Sequence, residues 1–277
     1  MELFKETCLK CSKVITQAYS TSFTLGIKTL HQQFHGPIYA IYGFVRCADE
    51  IVDTFHDYDK RKLLADFRRQ TFEAIESGIS LNPVLHAFQC VVKEYNIDAS
   101  YIEAFLKSME MDLDDQVYDS SLYSEYIYGS AEVVGLMCLK VFCAGDAQMF
   151  ERLKKPACSL GAAFQKVNFL RDMRSDYDDR GRVYFPQVDY KSFNNNSKAA
   201  IEADIMNDFD DAYVGIMALP RTARMGVYLA YVYYRKLFRK IQSLPATHIL
   251  KERVRVPDNK KLALLLGSYL RYRLNAI

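Results

Sequence analysis

The sequence predicts an all-α protein. Three observations carry this. Apolar residues recur at helical spacing through most of the 277 residues, alternating strand patterns are nearly absent, and the prolines read as helix-edge residues. Ile38, Ile41, Tyr42, Val45 and Val52 fall on one stripe. Segment 62–75 alternates charges with Leu63, Leu64, Phe67, Phe72 and Ile75 in the same period. Segments 102–113, 122–142, 160–170, 201–219, 226–241 and 261–274 behave alike. Pro37, Pro83, Pro156, Pro186, Pro220, Pro245 and Pro257 each fall at or near a predicted helix edge, where a missing N–H costs little. Gly36, Gly78 and Gly145 punctuate helix ends. Segment 177–197, with Gly181, Pro186 and the run Asn194-Asn195-Asn196, is expected to be one long functional loop. No repeat or composition shift marks a linker, so residues 1–277 read as a single domain of roughly ten helices.

Composition narrows the function. Half of the residues are apolar and a quarter charged, which excludes disordered, collagen-like and disulfide-stapled chains. A net charge of +2 gives no electrostatic case for nucleic-acid binding. There are 20 Tyr, 17 Phe and no Trp, and Tyr suits the wall of an apolar cavity that meets water or phosphate. Seven scattered cysteines fit a reducing cytoplasm better than a disulfide framework. The first residues carry Glu2, Lys5, Glu6 and Lys10 and lack the apolar core of a signal peptide. The most apolar stretch, 128–145, is interrupted by Glu132 and Lys140 and reads as a buried core helix.

Two matching motifs carry the chemistry. Arg46-Cys-Ala-Asp49-Glu-Ile-Val-Asp53 and Gln165-Lys-Val-Asn168-Phe-Leu-Arg171-Asp172-Met-Arg-Ser-Asp176 each contain Asp-x-x-x-Asp. At that spacing two side chains share a helix face, about 6 Å apart along the axis. The stripe Ile38, Tyr42, Val45 continues into Asp49, so carboxylates lie on or beside a face that should be core. Such groups persist when paired, protonated or bound to a cation. Four carboxylates and an amide are hard oxygen ligands suited to magnesium, and Arg46 and Arg171 are forked donors suited to phosphate. The chemistry they predict is ionisation of a diphosphate leaving group beside an apolar, aromatic cavity. The competing reading is a pair of solvated helix faces with i,i+4 ion pairs, and the doubling of the motif weighs against it.

The same residues resemble the squalene/phytoene synthase family, most closely its bacterial phytoene synthases, over nearly the whole chain. Tyr19-Ser20-Thr21-Ser22-Phe23 resembles the family's substrate-flap motif, with Tyr and Thr replacing the usual His and Lys. The segment from Tyr39 to Asp53 resembles its first aspartate-rich helix. Tyr126 to Met137 resembles a Tyr-x-x-x-Val-Ala-Gly-x-Val-Gly segment, with Glu132 where Gly is usual. Asn168 to Pro186 resembles the second aspartate-rich motif and its loop. The resemblance implies an isoprenoid-synthase helical bundle around a central cavity. It implies head-to-head condensation of two geranylgeranyl diphosphates to phytoene. Asp49, Asp53, Asn168, Asp172 and Asp176 would then hold Mg2+, with Mn2+ as an alternative. Tyr19, Ser20, Thr21, Ser22, Tyr42, Arg46, Gln165, Arg171, Tyr234 and Arg253 would contact substrate, and Tyr126 would assist catalysis. No redox cofactor is expected. A squalene or dehydrosqualene synthase using farnesyl diphosphate, or a non-catalytic scaffold, is the alternative. A C40 product must leave into lipid, so peripheral contact with the inner face of a membrane is also expected.

Other features have plainer readings. Tyr126, Tyr128, Gly129 and Gly135 fit close helix packing as well as substrate contact. Cys8-x-x-Cys11 and His31-x-x-x-His35 are too far apart for a zinc finger and read as ordinary helix residues. Arg180 and Arg182 are expected either as solvated loop charges or as groups closing over diphosphate. Asp112, Asp114 and Asp115 are expected on a solvated helix face.

Overall fold

The computed structural model describes residues 1–114, 118–186, 188 and 190–254, with the side chains of Ser22, Asp179 and Arg180 left out. The predicted helix 261–274 lies outside the described residues, as does Asp115. Among the described residues there is no strand. The helices are α1 (Glu2–Tyr19), α2 (Thr21–Lys28), α3 (His35–Asp53), α4 (Lys60–Ser77), α5 (Pro83–Glu94) and α6 (Ala99–Met111). They continue with α7 (Ser120–Ile127), α8 (Val133–Cys143), α9 (Ala147–Arg180), α10 (Asn195–Ala218), α11 (Arg221–Gln242) and the short α12 (Ala246–Ile249).

The helix starts follow local chemistry. Asp59, Asn82, Asp98, Asp119, Asp146 and Asn194 each accept a backbone N–H at the start of a helix, and Pro83 occupies the first turn of α5. Gly78 and Gly181 end α4 and α9 at φ of 75° and 64°, a region glycine enters without strain.

Two apolar clusters flank the centre. In one, Phe44 of α3 stacks on Phe88 of α5 with ring centroids 3.9 Å apart, and Phe67 and Phe105 close around the pair. Each such ring contributes about 1.5–3 kcal/mol by burial. The other joins α7, α9, α10 and α11 through Phe169, Phe209, Phe238 and Ile241. Segment Ser120–Cys143 is the one described helical run long and apolar enough to cross a bilayer, yet 61% of its most apolar window is buried among neighbouring helices. It therefore sits as the expected core helix.

Two expectations are corrected. Pro156 is not at a helix edge but inside α9. Its ring removes one helical hydrogen bond, and the gap is used for packing. A Cβ on Gly215 of α10 would come within 2.2 Å of Pro156 Cβ, so this glycine lets the two helices meet over the ring. Segment 177–197 is not one loop. The α9 helix runs on to Arg180 and α10 begins at Asn195, because Gly181 and Asn194 supply the stop and start signals. The stretch between is anchored by Tyr190, which stacks on Tyr177 at 3.8 Å and donates to the Leu250 carbonyl at 3.0 Å.

The α9–α10 contact also carries an ion cluster. Lys166, largely buried, reaches Asp204 at 2.5 Å and Asp208 at 2.7 Å. Lys166→Ala should lower stability by about 2 kcal/mol, less than the ~3–5 kcal/mol of a fully buried pair because Asp204 is 57% exposed. The urea unfolding midpoint measures this.

Candidate active site

A cavity of about 1010 Å3 runs between α2, α3, α8, α9, α10 and α11. Much of its wall is apolar, with Ile38, Leu139, Phe142, Leu153 and Leu219 among the lining residues. Along α9 the lining extends from Leu153 to Arg171. At ~1.5 Å per residue that is about 27 Å. Its mouth is polar, with Tyr19, Ser20, Thr21, Tyr42, Arg46, Gln165, Arg171, Tyr233, Tyr234 and Arg253.

Glycines make the cavity's walls close. Tyr128–Glu132, between α7 and α8, is a turn of π-helix, and Ser130 and Ala131 from it line the cavity. Gly129 abuts α6: a Cβ there would lie 2.4 Å from the Ala104 carbonyl oxygen. Gly161 of α9 meets Ala131 in the same way, at 2.7 Å from its carbonyl oxygen.

The first side of the mouth is built by α2 and α3. Ser20 caps α2 by accepting from the Phe23 N–H at 3.2 Å, so the N-terminus of α2 faces the mouth with the positive end of its dipole. Tyr42 stacks on Phe23 at 4.6 Å, and its hydroxyl is pushed up by burial and by Asp49. Arg46 lies 4.5 Å over the Tyr19 ring and pairs with Asp49 at 3.7 Å and with Glu50. Its Nε is buried with no partner. Burial pushes the Asp49 carboxyl up to about 7, Arg46 pulls it back, and Asp53 and Asp112 push it further. That side chain is still 33% exposed, one turn along α3 from Arg46, which lines the mouth.

The second side is built by α9, α11 and the segment after α12. Asp172 is held by two arginines: Arg171 Nε at 3.0 Å from Oδ1, and Arg253 Nε at 2.6 Å from the same oxygen. Tyr234 stacks on Phe164 at 3.9 Å and donates to Asn168 Oδ1 at 3.3 Å. Tyr42 and Tyr234 both line the cavity, so the two sides share one mouth.

The predicted residues therefore fall into three sets. Tyr19, Ser20, Thr21, Tyr42, Arg46, Gln165, Arg171, Tyr234 and Arg253 meet at the mouth. Ser22 is in the first turn of α2, and its side chain is outside the described set. Asp49, Asp53, Asn168, Asp172 and Asp176 are not cavity lining but stand on α3 and α9 within two turns of lining residues. Among the described residues no three His, Cys, Asp or Glu side chains are gathered tightly enough to ligate one ion. Tyr126 is apart: it is fully buried, does not line the cavity, and donates to Asp112 Oδ2 at 2.8 Å.

Asp112 and Arg182 depart from expectation. Asp112 is buried at the end of α6 rather than solvated, and Arg182 pairs with it at 3.0 Å instead of standing in solvent or over the mouth. Asp114, its side chain 45% exposed, pairs with Arg61 but lies past the end of α6 rather than on a helix face. Glu132 is half-buried beside Cys158, outside the cavity lining, and burial raises its pKa. The sequence reading missed Tyr233, Phe164 and the Asp112–Arg182 pair. Phe164 was open to discovery by its i,i+4 spacing from Asn168, whereas Tyr233, adjacent to Tyr234, carried no such signal. The pair spans 70 residues and left no local signal.

Fold and site together define an all-α protein built around a long apolar cavity whose mouth gathers arginines, tyrosines and two aspartate-bearing helices. A family model described as squalene/phytoene synthase matches residues 16–260. The chain belongs to that family, which is of prenyltransferase type and binds prenyl diphosphates. It is 28% identical to a phytoene synthase of Arthrospira platensis, covering 94% of this chain and 91% of that protein. It is 24% identical to a 4,4'-diapophytoene synthase of Staphylococcus haemolyticus, covering 94% and 95%. It is 27% identical to the chloroplastic phytoene synthase 3 of Zea mays, covering 95% of this chain and 65% of that longer protein. In fold it is similar to a ligand-bound dehydrosqualene synthase, with a TM-score of 0.83 and 22% identity over 97% and 98% of the two chains. A squalene synthase from Alicyclobacillus acidocaldarius has a TM-score of 0.75 at 18% identity, over 86% and 94%.

Proposed function

We propose that this protein joins two geranylgeranyl diphosphates head to head, through prephytoene diphosphate, to give phytoene and release diphosphate. The observation that carries this reading is the long apolar cavity opening onto a mouth of three arginines and two aspartate-bearing helices. The phytoene synthase relatives favour the C20 substrate, and the cavity has room for it. At the ~3.5 Å per three bonds of an extended chain, a geranylgeranyl main chain spans roughly 18 Å and a farnesyl chain about 13 Å. Both are shorter than the lining on α9, so the cavity admits either chain.

The residues divide the work. Arg46, Arg171 and Arg253, with Tyr19, the α2 N-terminus and Gln165, hold diphosphate oxygens. The arginines that pair with Asp49 and Asp172 are the ones that turn to substrate. The donor set fits a hard divalent cation: it offers carboxylate and amide oxygens on two helices, and Asp49, pushed up first by burial and then by neighbouring carboxylates, is a group that a cation would stabilise in its charged form. Asp49, Asp53, Asn168, Asp172 and Asp176 would hold Mg2+, with Mn2+ as substitute, and bound metal supplies neutralisation of the departing diphosphate. The faces of Phe164, Tyr234, Phe23 and Tyr42 stabilise the allylic cation left behind, and the apolar walls keep water from quenching it. The second substrate's double bond attacks that cation, and loss of a first proton closes the cyclopropane of prephytoene diphosphate. A second ionisation, rearrangement and proton loss complete the product. We place the protein in the cytoplasm, touching the membrane peripherally to deliver product, and assign it no redox cofactor.

Purified protein incubated with geranylgeranyl diphosphate and Mg2+ should yield a C40 hydrocarbon by mass analysis, and none without metal. A C30 product from farnesyl diphosphate alone would establish the second reading, which the diapophytoene synthase relative favours. A C30 product that needs NADPH would indicate a squalene synthase. No diphosphate release from any substrate would leave the scaffold reading.

A further inference from the structure

Behind the mouth lies a polar cluster in an otherwise apolar region. Asp112, 7% exposed, accepts from Tyr126 at 2.8 Å, from Arg182 Nη1 at 3.0 Å and from the Tyr184 hydroxyl at 3.3 Å. Arg182 Nη2 also donates to the Asp112 carbonyl, so the guanidinium grips both side chain and backbone at the end of α6. Arg182 is 11% exposed. A buried pair of this kind is a poor source of net stability, because each ion gives up its water. Its position suggests what it does. Arg182 follows the Gly181 cap, and its N–H donates to the Asp176 carbonyl at 3.0 Å. Tyr184, two residues on, stacks on Phe169 of α9 at 4.2 Å and is influenced by the Asp176 charge. Asp112 ends α6, and Phe105 of that helix packs at 5.4 Å on Phe44 of α3, the helix that carries Asp49 and Asp53. The cluster therefore touches the last turn of the helix that carries the second aspartate motif and lies close behind the first.

We propose that Arg182 and Asp112 are positioning residues: their buried pair clamps the C-terminal turn of α9 to the end of α6 and so sets the spacing of Asp172 and Asp176 from Asp49 and Asp53. Tyr126 belongs to the same clamp, holding Asp112 from the helix that leads into the π turn. The fork of Arg182 matters as well as its charge, since two separate donors reach Asp112. This rests on the metal reading of the preceding section.

The test is binding of Mn2+ with inorganic diphosphate to the full chain, followed by calorimetry and by loss of the free Mn2+ paramagnetic resonance signal, with no turnover involved. Wild type should bind. Arg182→Gln and Asp112→Asn should each weaken binding at least tenfold with unchanged helical circular dichroism. The double variant should be no weaker than the worse single one, because the two residues act as one unit. Arg182→Lys, which keeps charge and loses the fork, should fall between, and it serves if Arg182→Gln does not fold. Phe88→Leu, in the distant core, should lower the melting temperature without changing Mn2+ affinity, which separates positioning from general loosening. Wild-type failure to bind Mn2+ would overturn the metal reading. Wild-type binding with equal binding by folded Arg182 and Asp112 variants would overturn the clamp.

Discussion

Asp49→Asn and Asp172→Asn are each expected to reduce turnover at least about a thousandfold, close to 4 kcal/mol at 1.36 kcal/mol per decade. Each change is isosteric and removes one anionic oxygen from beside the mouth. Asp172 has a second task, since Arg171 and Arg253 both converge on it. Asp172→Asn therefore loosens two diphosphate-binding arginines as well as the donor set, and its KM should rise more than that of Asp49→Asn. Helical circular dichroism should be unchanged in both, because neither side chain belongs to the apolar core. Steady-state diphosphate release and circular dichroism on the same samples make the comparison. Activity surviving in either variant would remove that aspartate from the reaction.

Gly129→Ala is expected to destabilise the fold by about 3 kcal/mol, the upper part of the overpacking range. The new methyl would meet the Ala104 carbonyl at 2.4 Å and Ser108 Cβ at 2.7 Å, and a backbone carbonyl cannot rotate away. For a chain of this size that lowers the melting temperature by roughly 6–12 °C. The π turn must shift to make room, moving Ser130 and Ala131 in the cavity wall, so kcat should fall in the folded fraction. A melting temperature within a degree of wild type would show that α6 can retreat.

Much of this was legible in one dimension. Helical periodicity located α3, α4, α6, α8, α10 and α11 because each buries one stripe of side chains, and such stripes repeat locally. The two Asp-x-x-x-Asp motifs, with Arg46 and Arg171 beside them, were legible for the same reason: i,i+4 spacing places residues on one face before any tertiary contact forms. The N-terminal helix α1 and α5 were not picked out as elements. In α1 the buried positions are Cys8, Ser12 and Thr16, too weakly apolar to announce a stripe.

What sequence alone determined, then, is the helical class, the family-like motifs and which residues share a helix face. Only the tertiary structure decided how faces meet. Pro156 could stay inside α9 because Gly215 of another helix makes space for its ring. Asp112 could be buried because Arg182 arrives from 70 residues away to neutralise it, with Tyr126 and Tyr184 completing its hydrogen bonds. Tyr126 donates to Asp112 within that frame, a contact that only the fold brings about. Local spacing is a property of the chain, whereas the desolvation of a charge is a property of whatever the fold brings against it.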